Sequence, residues 1–243
     1  MARIRERTAR IALSSDELGE SPVFPALAIL GSAALYATLP TRFIAGPSAG
    51  AFAVVRWIMP ALTVLLLIAL FASLPQKRIV GWLGIEARKL RLGRRVAALA
   101  VIAILSAANG AAIVLLVHLL VTGAHAQARQ LLRAAIHMWC TNVLVFALWF
   151  WELDNGGPAA RRRADPLERD FLFPQQAAPE VARPGWHPFF LDYLYLSFTN
   201  ATAFSPTDAM PLTRWAKMLM LVESAVSLVL AIMVAARAVN ILK

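Results

Sequence analysis

The side chains with chemistry to offer are bunched toward the C-terminal end of the 243-residue chain. Asp192, Ser197, Thr199, Asn200 and Thr202 fall within one helix-length stretch, Ser205, Thr207 and Asp208 follow it, and Glu223 stands inside an apolar run. Hydroxyl, amide and carboxylate oxygens in this density are the groups that replace an ion's hydration shell or hold a small polar ligand. Glu223 has two readings. A charge within a span is a functional hypothesis by default, and the milder reading pairs it with Lys217, Arg214 or a residue behind the preceding helix. Other chemistry lacks its residues. His118, His125, His137 and His187 form no H-E-x-x-H spacing, and there is neither a G-x-S-x-G motif nor a phosphate-binding glycine loop. Cys140 is the only cysteine, which rules out an intrachain disulfide and a cysteine cluster for zinc. The sequence therefore predicts no enzyme, no metal site and no cofactor.

The elements that position these groups are apolar helices. Hydrophobic residues make up 59% of the chain and the mean hydropathy is +0.63, where a soluble domain lies closer to half apolar. A helix needs about 20 apolar residues to cross a bilayer. Residues 22–39, 57–74, 96–121 and 134–151 meet that test, and 215–242 closes the chain despite Lys217, Glu223 and Arg237. The fold class is thus an all-α polytopic membrane helix bundle with about five transmembrane helices. Pro188 opens a further helix over 189–203 that is roughly 22 Å long, too short to span. Ser205-Pro206 and Pro211 then break it. Irregular backbone at membrane depth is tolerated only when it is buried in protein or lines water, so this segment reads as a re-entrant helix-loop. The first apolar run lacks a convincing cleavage site and is expected to be a retained span.

The formal net charge of +10 follows the connections rather than a nucleic-acid surface. Arg3, Arg5, Arg7 and Arg10 lie in the tail 1–21, and Lys77, Arg78, Arg88, Lys89, Arg91, Arg94 and Arg95 in the connection 76–95. The positive-inside rule puts both on the cytoplasmic side. Ile79, Trp82, Leu83, Ile85, Leu90 and Leu92 interleave with those charges, so 76–95 reads either as a helix on anionic lipid headgroups or as a plain cytosolic loop. Ala103, Ala107 and Ala111 form a small-residue ridge. Beside it Asn109 needs an interhelical partner, for which Asn142 is the candidate. Trp149 to Asp154 is an aromatic and acidic belt followed by the helix stop Asn155-Gly156-Gly157-Pro158. Within the polar linker that follows, which carries Arg161-Arg162-Arg163 near its start, Phe171-Leu172-Phe173-Pro174 is the one apolar island, placed either in the membrane interface or against the spans.

The residues from 197 to 211 carry a resemblance. Ser-Phe-Thr-Asn-Ala-Thr-Ala-Phe-Ser-Pro-Thr-Asp-Ala-Met-Pro resembles, in register and without gaps, the pore helix and selectivity filter of potassium channels. Ser197, Phe198, Thr202, Asp208 and Pro211 match that pattern, and Thr213, basic Arg214 and Glu223 resemble the start of the family's inner helix. The similarity covers about the last quarter of the chain, which also resembles a family of bacterial integral membrane proteins with the same pore-like end. It implies a tail 1–21, N-terminal membrane helices 22–133, and a pore-like module 134–243. The module divides into an outer helix 134–151, a linker 152–187, a hairpin 188–212 and an inner helix 213–242. It further implies a homotetramer in a bacterial inner membrane, with a filter segment formed by Thr202, Ala203, Phe204, Ser205, Pro206, Thr207 and Asp208.

The departures from that family are chemical. Its filter is Thr-Val-Gly-Tyr-Gly, whose glycines let the backbone reach positive φ so that carbonyls stack around the ion. Ser205 and Thr207 stand at the glycine positions and Pro206 at the tyrosine. Proline is held near φ ≈ −65° and a β-branched residue at positive φ is an outlier. Side chains must then replace the carbonyls: the hydroxyls of Thr202, Ser205 and Thr207 and the carboxylate of Asp208. A ring of Asp208 residues would concentrate permeant cations, unless Asp208 only bonds the back of the loop; in the alternative, Phe204 instead closes the axis as an apolar plug. Ser227, Ala231 and Ala235 give the inner helix small-residue spacing suited to a tight bundle. Charge and resemblance disagree on sidedness. Five spans with a cytoplasmic 76–95 put the hairpin on the cytoplasmic side, whereas potassium channels have theirs outside. Two functions compete: an ion channel of altered selectivity, and a non-conducting membrane scaffold or ligand-binding protein that reuses the pore-loop fold. The filter composition predicts no potassium selectivity. Under bi-ionic K⁺/Na⁺ conditions the reversal potential of purified protein is expected near zero, and a strong K⁺ preference would contradict this reading.

Overall fold

The structure is a computed structural model and describes residues 23–38, 87–121, 128–161, 169–202 and 209–241. Its elements in chain order are α1 (Val23–Thr38), α2 (Ala87–Val121), α3 (Ala128–Leu153), a 3-10 turn (Asp154–Gly156), one-turn α4 (Pro158–Arg161), β1 (Phe171–Leu172), one-turn α5 (Pro174–Ala177), α6 (Phe190–Thr202), β2 (Met210–Pro211) and α7 (Arg214–Ile241). The fold is mostly helical. Arg95–Val121, Gln130–Gly156 and Arg214–Ala236 are long and apolar enough to cross a membrane, whereas α1 is apolar but has only 16 residues. The candidate second span, 57–74, lies outside the described residues, as do the tail 1–21 and most of 76–95.

Where 76–95 is described, it differs from a separate surface helix. Residues 87–95 belong to the same unbroken 35-residue helix as the following span. Ala, Leu, Arg and Lys are good helix formers and no proline intervenes, so nothing stops the helix at the edge of the apolar run. At 1.5 Å per residue it is ~52 Å long, which carries its basic turns past ~30 Å of hydrocarbon.

α3 is the hub, and α1, α2, α6 and α7 all pack on it. Cross-links between named residues show that each runs antiparallel to α3. Along α2, Trp149 Nε1 donates to Ser106 Oγ at 2.8 Å and Asn109 Nδ2 to the Met138 carbonyl at 3.4 Å. Along α1, Gly31 lies against Leu144 and Thr38 Oγ1 is 3.2 Å from His137 Nδ1. Some 61% of the apolar stretch of α3 is buried against 22% for α7, whose Met218, Leu221, Val222, Leu228, Val229 and Ile232 stay exposed. An apolar helix with so little cover presents the surface expected of one facing hydrocarbon.

Two apolar clusters fill the bundle. One, at the linker end, is built on Phe146, Phe150, Trp151, Phe171, Phe190 and Tyr193, and the other, at the far end, on Tyr36, Leu116, Leu131, Met138 and Leu230. Between them, at the level of Asn142 and Val143, sits a layer of buried polar groups that includes Asn109, Asn142, Ser197, Glu223 and Ser227. The expected Asn109–Asn142 pair does not form. Asn109 bonds the Met138 carbonyl, and Asn142 Nδ2 donates to Ser227 Oγ at 3.0 Å on α7. Asn142 thus turns toward α7, where a side-chain acceptor stands, and Asn109 reaches a backbone carbonyl of its nearest neighbour.

Ala147, in the C-terminal third of α3, has no exposed surface. Ala147→Leu is expected to lower stability by about 1–3 kcal/mol through overpacking, read as a lower thermal midpoint in detergent. Ile136→Leu, on the exposed face of the same helix, is expected to leave the midpoint unchanged.

Candidate functional site

α6 begins with a local cap. The Asp192 carboxylate accepts the Phe189 N–H at 2.9 Å, the reach-back half of a capping box that satisfies one orphan donor. The helix then descends along α3. Tyr193 meets Asp154, Ser197 meets Val143, and Phe198 packs edge-on against Trp139 with ring centroids 5.8 Å apart. It ends at Thr202, near the predicted boundary. Thr202 Oγ1 donates to the Phe198 or Thr199 carbonyl, 3.1 and 3.0 Å away, and Thr199 Oγ1 likewise bonds its own helix. Ala203, Phe204, Ser205, Pro206, Thr207 and Asp208 lie outside the described residues.

On α7, Glu223 and Ser227 are fully buried, while Ala231 and Ala235 are exposed. The small-residue spacing therefore does not make one surface: Ser227 is used inside the chain by Asn142. Glu223 is the meeting point of three helices. Its Oε2 accepts Asn200 Nδ2 at 2.6 Å, and its Oε1 is hydrogen-bonded to Ser197 Oγ, which also lies 2.7 Å from the Val143 carbonyl oxygen. Asn200 Nδ2 also donates to the Met220 carbonyl at 2.9 Å, and Ser224 Oγ donates to Asn200 Oδ1 at 3.0 Å. Of the partners open to Glu223 in the sequence, the structure gives it residues of the preceding helix, with neither Lys217 nor Arg214 bonded to it among the described residues.

A second polar knot ties the linker to the helix ends, and its members escape a sequence reading. Asn155 (φ 51), Gly156 (φ 78) and Gly157 (φ 96) reverse the chain after α3. A Cβ on Gly157 would fall 3.0 Å from the Glu152 carbonyl oxygen, so only glycine fits this close approach. The reversal brings Arg161 back onto the end of α3. Its Nε lies 3.3 Å from Asp154 Oδ2, with both side chains about as buried as core residues (5% and 2% exposed), and its Nη2 donates to the Trp151 carbonyl. A cation on the last carbonyls of a helix complements the dipole. The guanidinium also stacks 4.6 Å over the Tyr193 ring, and the Tyr193 hydroxyl donates to Asp154 Oδ2. Asp154, part of the expected interfacial belt, is instead a buried ion-pair partner, because the helix reversal returns Arg161 to it.

Asp170 makes the remaining ties. It exchanges hydrogen bonds with Asn155 at 2.9 and 3.1 Å and accepts Trp215 Nε1 at 2.8 Å, and its carbonyl accepts the Leu212 N–H at 2.8 Å. β1 and β2 pair antiparallel beside it, Phe171 opposite Pro211 and Leu172 opposite Met210. The apolar island packs on the spans: Phe171 is 1% exposed and edge-on to Phe150 and Trp215, and Phe173 is edge-on to Tyr193. The start of α6 and the residues that follow 203–208 are thereby anchored at the linker end of the bundle, while the C-terminal end of α6 lies deeper along α3. No family model, curated protein or solved structure matches the chain.

Removing one charge of a buried pair leaves the other uncompensated and costs about 3–5 kcal/mol. Asp154→Asn is expected to show that loss as a lower thermal midpoint and faster proteolysis of the linker. The double variant Asp154→Asn/Arg161→Met is expected to regain part of it.

Proposed function

We propose that this chain is an oligomeric, channel-like protein of a bacterial inner membrane, in which 188–212 is a re-entrant pore loop that does not select potassium. One observation carries the reading. A 13-residue helix, ~20 Å long, enters the bundle beside α3, and the chain resumes at Met210–Pro211 paired to β1 at the end where that helix began. A half-length helix whose flanks share one end, with polar groups between them, is the arrangement that membrane proteins reserve for lined cavities. Five spans agree with the ends of the described helices. Thr38 lies toward the far end of the bundle, against His137, and α2 starts at the linker end. The exposed apolar face of α7 leaves room for neighbouring copies, a homotetramer by the resemblance, or for lipid.

The hairpin opens to the cytosol in this reading, inverted relative to potassium channels. A Cβ on Gly156 would come within 3.6 Å of the Arg95 guanidinium, so the basic turns of α2 and the linker share an end, and positive charge marks the cytoplasmic side. The same basic turns are suited to anionic lipid headgroups.

The competing reading, a non-conducting scaffold or ligand-binding protein, has an observation of its own. Ser197, Thr199, Asn200 and Thr202 of α6 all spend their hydrogens on hydrogen bonds within the chain.

Single-channel recording in planar bilayers separates the two. Unitary steps that Asp208→Ala abolishes or Phe204→Ala alters support conduction, and silence across voltage, pH and calcium favours the scaffold. For orientation, Ala178→Cys in a Cys140→Ala background is expected to resist an impermeant thiol reagent in intact cells and to react after permeabilisation. Labelling of intact cells would reverse the assigned side.

A further inference from the structure

Hydrogen counting at Glu223 leads beyond the pore-loop reading. Ser197 Oγ lies 2.7 Å from the Val143 carbonyl oxygen and is also hydrogen-bonded to Glu223 Oε1. A serine hydroxyl has one hydrogen, and a carbonyl has none to give. The hydrogen of Ser197 fully satisfies one of these two contacts, and a proton on Glu223 satisfies the other. Asn200 has no hydrogen to spare for it. One of its N–H groups goes to the Met220 carbonyl and the other to Glu223 Oε2, while its oxygen accepts Ser224 Oγ.

We infer that Glu223 is a protonated, neutral carboxylic acid at neutral pH: its Oε1 hydrogen goes to Ser197 Oγ, whose own hydrogen goes to the Val143 carbonyl. Every donor and acceptor in the junction then has a partner. The electrostatics of the site agree. Glu223 has no exposed surface, and an unpaired carboxylate in such a place is far more costly than a neutral acid. On the elements around it, α3 carries Arg129, Arg133, His137, Cys140 and Glu152, α6 carries Asp192, Tyr193 and Tyr195, and α7 carries Arg214, Lys217 and Arg237. None bonds or pairs with it among the described residues. Tyr193 is on Asp154, His137 is beside Thr38, and Arg214 and Lys217 are exposed.

With the proton present, α6 is joined to α7 without a buried charge. With it gone, Ser197 lacks a hydrogen for one of its two contacts and the carboxylate is buried without a cation. The protonation stands apart from the pore-loop reading.

Infrared difference spectroscopy of the full-length chain in lipid vesicles at neutral pH, wild type minus Glu223→Gln, tests the assignment. Gln matches the neutral acid in shape, its amide nitrogen donating to Ser197 and its oxygen accepting from Asn200. The expected spectrum shows the carbonyl stretch of a protonated carboxylic acid in the wild type, shifted by deuterium exchange and lost in the variant, with the thermal midpoint retained. Loss of carboxylate bands instead would overturn the inference. Should Glu223→Gln fail to fold, Ser197→Ala provides the second reading: removing the acceptor shifts the acid band to higher frequency, and no change in that band would equally overturn it. A chain that conducts nothing leaves both spectra unaffected, so the failures are distinguishable.

Discussion

Four helices lean on α3, and each must satisfy its inward polar groups without water. Hydrocarbon offers no hydrogen-bond partner, so a polar group on an inner face either finds its complement within the chain or costs several kcal/mol. This constraint accounts for where the structure puts its polar residues. They gather in two places along α3, the level of Asn142 and Val143 and the reversal at Asp154 to Gly157, while apolar clusters fill the lengths between and beyond. The contacts that specify how α6 and α7 sit are thus polar, and the packing around them is largely aliphatic and aromatic.

The two knots divide the work of holding the C-terminal module. The outer one, built from Asp154, Arg161, Tyr193, Asp170 and Trp215, fixes the linker, the start of α6 and the start of α7 to one end of the bundle. It keeps its charges because Arg161 and Asp154 neutralise each other and the guanidinium also serves a helix end and an aromatic face. The inner one joins Ser197 and Asn200 to Glu223 with no cation to help. The outer knot is thus held by compensated charge, and the inner one by hydrogen bonds alone.

Much of the architecture was legible in the sequence because it rests on local rules. Apolar run lengths mark the spans, Pro188 marks the start of α6, and Asn155-Gly156-Gly157-Pro158 marks the stop after α3. Glu223 stood out as a charge in an apolar run, with Ser197 and Asn200 conspicuous on the helix before it. What linked them was not legible. Asp154 and Arg161 read as an interfacial acid and a member of a basic triplet, since nothing in their spacing announces that a glycine reversal will close the distance. Asn109 and Asn142 looked like natural partners, yet each found another, because partner choice depends on which faces meet and not on residue type.

By itself the sequence determined that this is a chain of long apolar helices with a short, polar helix before the last of them. Those features follow from hydrophobic length, proline placement and charge distribution, all local in the chain. Only the tertiary structure decided that α3 is the hub, that Asp154 is a buried ion-pair partner, and that Glu223 faces Ser197 and Asn200 rather than a cation. These contacts join residues tens of positions apart, and they are set by how helix faces pack, which no local pattern encodes.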